Sequence, residues 1–61
     1  MKRDEKQFLH GLAFAVAELV RTHDQPTMAR DIIKGGGFEL DHFKKARVDE
    51  YDLKEIEKAL A

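Results

Sequence analysis

The chain has no cysteine and no serine. Without cysteine, disulfides and thiolate metal sites are excluded. Without either residue, only Thr22 and Thr27 resemble a serine nucleophile. Apolar runs are short as well. The longest, Phe8 to Val20, has thirteen residues and is broken by His10 and Glu18, well under the ~20 needed to cross a bilayer. Arg21 and His23 follow it where a secretory signal would place small residues. A strong charge of one sign is also missing. Eleven basic and twelve acidic residues leave a net charge of −1. Residues 1–34 carry six basic and five acidic groups, residues 35–61 five and seven. Neither half is a basic patch of the kind that phosphate neutralisation needs. The expected setting is cytoplasmic, without membrane contact.

What is present suits one small globular domain. Charged residues make up 38 % and hydrophobic residues 43 % of 61 residues, which argues against disorder. A chain this short buries only about 60 % of its unfolded surface. Its stability must come from a compact helical core, good caps or a partner, and a second copy of the chain would serve. We expect a single helical domain over residues 1–61.

The spacing predicts a long helix from about Asp4 to Thr22. At about 100° per residue, Phe8, Leu9, Leu12, Val16, Leu19 and Val20 fall within an arc of about 120°. That arc is the expected core face. Phe14 falls opposite, near His10, Glu18 and Arg21. Gly11 is a weak point of about 1 kcal/mol relative to alanine. A second helix is expected over Pro26 to Lys34, with Pro26 in its first turn and Asp24 or Thr27 as its cap. Met28, Ala29, Ile32 and Ile33 would face inward. One of Gly35, Gly36 and Gly37 should take the left-handed conformation that closes it. Leu40, Phe43 and Ala46 predict a third helix over Glu39 to Ala46, with Phe38 as a staple before it. Asp52 and Glu55 have the spacing of a capping box, opening a fourth helix that runs to about Leu60. Leu53, Ile56 and Leu60 would face inward. No segment alternates with period two. The predicted class is all-α: a compact bundle of one long N-terminal helix and three short ones.

Catalytic and cofactor chemistry finds no support in the pattern. His10, His23 and His42 lie far apart and outside any known ligand spacing. The glycines at 35–37 are followed by Phe38, Glu39 and Leu40, not by the lysine and hydroxyl residue of a phosphate loop. The expectation is no enzyme activity, no cofactor and no metal. Residues Thr27 to Arg47 align partly with a helix-turn-helix, Gly37 standing in the turn. The would-be recognition helix opens with Glu39 and Asp41, where base and phosphate contacts concentrate. Lys44, Lys45 and Arg47 near its end are the candidate nucleic-acid contacts. DNA binding is therefore the alternative reading.

Two surfaces are candidates for a protein partner. Gly11, Phe14, Ala15 and Glu18 share the back of the first helix, where small residues permit close approach and an aromatic supplies an anchor. The competing explanation is that Phe14 packs beneath the N-terminal residues or a short helix. Asp49, Glu50, Asp52, Glu55 and Glu57 carry five negative charges in nine residues, offset only by Lys54. Such a run is either a solvated helix face or a dock for a basic partner.

Residues Ala17 to Arg21, His23 to Thr27 and Met28 to Ile33 resemble stretches of small helical proteins encoded by bacteriophages and prophages. Phe43 to Ala46 and Val48 to Leu53 look similar to their C-terminal part. The resemblance implies a non-enzymatic accessory or inhibitory protein that binds host or phage machinery. Anti-CRISPR proteins are one class of this size and habit.

Overall fold

A computed structural model describes residues 1–61. Four helices and no strand form the all-α fold: α1 (Arg3–Arg21), α2 (Pro26–Gly35), α3 (Leu40–Lys45) and α4 (Glu50–Leu60). α1 has 19 residues, so it is about 28 Å long and runs nearly the full 31 Å of the molecule. α1, α2 and α4 pack pairwise, and α3 sits against α1 and α4.

The core differs from the expected one in which side of α1 it uses. Leu9, Ala13, Val16 and Ala17 are buried. Leu12, Leu19 and Val20 are half-buried, and Phe8 is 59 % exposed. The buried face is therefore turned by about 60° from the bulkiest apolar arc, toward the two alanines. Ala13 and Ala17 have no exposed surface, and Ala29, Ala46 and Ala59 are buried on the facing elements. Alanine at so many positions is the residue choice that permits close approach of helix axes. Phe43, Leu9, Ile33, Ile56 and Val16 fill the space between. On α2, Ala29 and Ile33 are buried as expected, but Met28 and Ile32 are exposed, because this ten-residue helix meets the core along one narrow stripe. On α4, Ile56 and Ala59 are buried, and Leu53 and Leu60 are half-buried.

The helix ends account for the remaining differences. Gly37, with φ of 80°, closes α2. The amide of Gly37 donates to the Lys34 carbonyl and that of Phe38 to the Ile33 carbonyl, which is a Schellman closure. Phe38 then packs 6.4 Å from Phe43 between ring centres, as a staple should. α3 ends the same way, with Arg47 donating to the Lys44 carbonyl and Val48 to the Phe43 carbonyl. Arg47 occupies the left-handed position there, at φ 56°. Neither Asp24 nor Thr27 caps α2. Gln25 precedes it without a side-chain bond, and Asp24 takes a left-handed conformation in the turn that ends α1. α4 is capped by Asp49, not Asp52. The Asp49 carboxylate accepts from the Tyr51 amide at 2.9 Å, so the helix cap lies three residues earlier than expected and Asp52 is free for another contact.

A left-handed residue with a side chain is strained where glycine is not. Arg47→Gly should stabilise the fold by up to ~1 kcal/mol, and Gly37→Ala should destabilise it by ~1 kcal/mol or more. Urea unfolding of the two variants checks this, and a loss of stability in Arg47→Gly would contradict it.

Candidate interaction surfaces

The polar contacts of the molecule concentrate along one row of α1. His10, Phe14, Glu18 and Arg21 stand at successive turns of that helix. At one end of the row, His10 Nε2 donates to the carbonyl oxygen of Ala46 at 2.7 Å. Ala46 is the C-cap of α3, so the bond satisfies a carbonyl that the helix end leaves free. At the other end, Arg21 gathers three partners, Glu18, Asp52 and Tyr51. Its Nε donates to Glu18 Oε1 at 3.0 Å, and a terminal nitrogen reaches the same oxygen. Both terminal nitrogens reach Asp52 Oδ1 at 3.3 Å. The guanidinium lies 4.3 Å from the centre of the Tyr51 ring, close enough for a cation–π contact. The Thr22 hydroxyl completes the cluster by donating to Glu18 Oε2 at 2.8 Å. These two tie points lie eleven residues, or about 16 Å, apart on α1. They fix the segment from Ala46 to Asp52 along the flank of α1.

Phe14 stands between the tie points and is 60 % exposed. It packs beneath neither the N-terminal residues nor a short helix. Gly11 and Ala15 beside it are also exposed, while Glu18 is half-buried and bound to Arg21 and Thr22. A side chain at Gly11 would meet nothing within 4 Å. The buried face of α1 centres near Ala13, so the outward face centres near Gly11, with Phe14 on one side and Phe8 on the other.

The acidic run is largely engaged in the fold. Asp49 caps α4, Asp52 binds Arg21, and Glu55 pairs with Lys58 at 3.3 Å. Glu50 and Glu57 are exposed and make no ion pair. They flank a shallow depression that also includes Leu53 and Lys54. The candidate nucleic-acid residues Lys44, Lys45 and Arg47 are exposed at the end of α3. α3 has only six residues, and α2 and α3 do not pack on one another. A helix-turn-helix unit holds its recognition helix by that packing, so the alignment over Thr27 to Arg47 does not correspond to such a unit.

One surface escapes a reading of periodicity. Phe8 and Phe38 meet with ring centres 5.9 Å apart, and Phe38 meets His42 edge-on at 5.4 Å. The signal in the chain was Phe38 directly after a helix-stopping glycine, where an apolar side chain folds back. Assigning Phe8 to the core hid it. No three His, Asp or Glu side chains converge to hold a metal ion, and no helix is long and apolar enough to cross a membrane. Comparison with protein-family models, with curated proteins and with solved structures finds no match.

The Arg21 cluster has a pH signature. Hydrogen bonds from Arg21, then from the Thr22 hydroxyl, hold the Glu18 carboxyl below its ordinary pKa, against a smaller opposing effect of burial. The ionised form thus favours the folded state. Its contribution is present above the ordinary carboxylate pKa of about 4.3 and is lost as pH falls through the lowered folded value. Melting temperature should therefore fall in acid, and Glu18→Gln should remove part of that fall while lowering stability at neutral pH. Superimposable acid profiles for the two proteins would contradict the role given to the cluster.

Proposed function

We propose that this chain is a non-enzymatic interaction module that binds a protein partner through the outward face of α1. One observation carries the reading: Phe14 is 60 % exposed beside Gly11, whose missing side chain nothing in the chain's own packing requires. A glycine inside a helix costs about 0.5–1 kcal/mol relative to alanine, which is a large fraction of the stability of so small a domain. Close approach of another molecule is the physical use for that gap, and an aromatic next to it is the residue type that anchors interfaces. Glu50 and Glu57 add negative charge that would steer a basic partner. The resemblance to small phage and prophage proteins supports the same reading, with host or phage machinery as the partner and inhibition or accessory action as the outcome.

Two substitutions separate folding from binding. Gly11→Ala should raise stability by up to ~1 kcal/mol. Phe14→Lys should leave the helical circular dichroism and the unfolding midpoint near wild type, because the side chain is not in the core. The same change should abolish partner capture from host extract and any self-association seen by sedimentation. Retained capture by Phe14→Lys, or a loss of several kcal/mol in stability, would overturn the reading. Duplex DNA is the control ligand. Salt-sensitive binding that is lost on charge reversal at Lys44 and Lys45 would point instead to a nucleic-acid regulator.

A further inference from the structure

The first turns of α1 form one wall of a cleft of about 400 Å³. Asp4, Glu5, Phe8 and Leu9 line it on one side, Phe38 and His42 on the other. Its ring-bearing wall is held from several directions. Phe38 is fixed between Phe8, His42 and Phe43. The His42 ring is oriented by its Nδ1, which accepts from the Glu39 amide at 2.9 Å. That acceptance leaves Nε2 as the ring nitrogen that carries the hydrogen of the neutral form. A wall fixed in advance loses little freedom when something binds to it.

The rim is acidic. Carboxylates in the first turn are favoured in any helix, since they face its positive end. Asp4 and Glu5 differ from the acids engaged in the fold in two respects. Neither forms an ion pair, whereas Glu18, Asp52 and Glu55 each do. Both also border an apolar, aromatic depression. Negative charge at the rim and the negative faces of the rings favour the same thing, a cation next to an apolar group.

We propose that this cleft seats an apolar side chain of the protein partner, flanked in that partner's sequence by lysine or arginine that pairs with Asp4 and Glu5. The inference rests on the reading of the chain as an interaction module and gives the chemistry of what it binds. Phe8 links the two surfaces, because it borders the cleft and also flanks the outward face of α1 opposite Phe14. A partner segment seated in the cleft therefore reaches Gly11 along the same helix.

The test uses the full chain, isotope-labelled for amide NMR, and two short blocked peptides, Lys-Lys-Trp-Lys-Lys and Glu-Glu-Trp-Glu-Glu. The lysine peptide should shift the amides around Asp4–Leu9 and Phe38–His42. At low salt it should bind roughly tenfold more tightly than the glutamate peptide, and added salt should narrow that gap. Asp4→Asn combined with Glu5→Gln should remove most of the difference. Phe8→Ala, which alters a mostly exposed side chain, should weaken both peptides while the fold persists. Equal affinity of the two peptides, shifts confined to other regions, or no shift at all would overturn the inference. Its failure is distinguishable from failure of the broader reading. If the peptides do not bind but Phe14→Lys still abolishes partner association, the interaction module stands and the cleft is not its contact.

Discussion

The fold depends on how closely α1 lies against the other helices. Sixty-one residues do not supply enough large apolar side chains to surround a long helix, so the contact is made narrow and tight. Ala13 shares a cluster with Ala29, Ala46 and Ala59 that Phe43, Ile33, Ile56, Leu9 and Val16 fill, and Ala17 is buried on the same side of α1. Interiors are packed like crystals, so a contact built on alanine has little spare volume. The buried stripe is set by small size as much as by hydrophobicity. That choice rotates α1 and leaves Phe8 and Phe14 on the outside.

The polar contacts then follow from the rotation. Turning α1 toward its alanines brings the row His10–Phe14–Glu18–Arg21 to the flank where α3 gives way to α4. His10 reaches the Ala46 carbonyl, and Arg21 reaches Asp52 and Tyr51. Partly exposed ion pairs of this kind contribute little individually, but together they set where α4 begins relative to α1. The same rotation generates both surfaces given a functional meaning. Gly11 and Phe14 face outward because Ala13 and Ala17 face inward. Phe8 meets Phe38 at the edge of the core and opens a cleft there. Core geometry and binding chemistry are thus two consequences of one packing decision.

Most of the architecture was legible in the chain. Element type follows from helical spacing, and the ends follow from Pro26, Gly37 and the Phe38 staple, because these residues act locally. The position of Phe14 away from the main apolar arc of α1 was also legible, but whether another segment covers it was left open by the sequence. What was not legible depends on three-dimensional packing. An apolar arc weighted by bulk points to Phe8, and only the facing alanines reveal that the true contact is elsewhere. The cap of α4 was misplaced because Asp49 and Asp52 are both good caps, and the choice between them is made by Arg21, thirty-one residues away from Asp52. For the same reason, the acidic run read as one charged surface, whereas three of its members are committed to the fold.

A matched pair of substitutions tests the central claim most directly. Ala15 and Ala17 are two residues apart on α1, are chemically identical, and lie on its outward and inward sides. Each is changed to leucine, and the unfolding free energy is measured in urea. Ala17→Leu should destabilise by ~1–3 kcal/mol or more, because no space exists for the added atoms. Ala15→Leu should remain within about 0.5 kcal/mol of wild type, as for a surface change. Equal effects at the two sites, or a larger loss at Ala15, would contradict a core closed by the alanine side of α1.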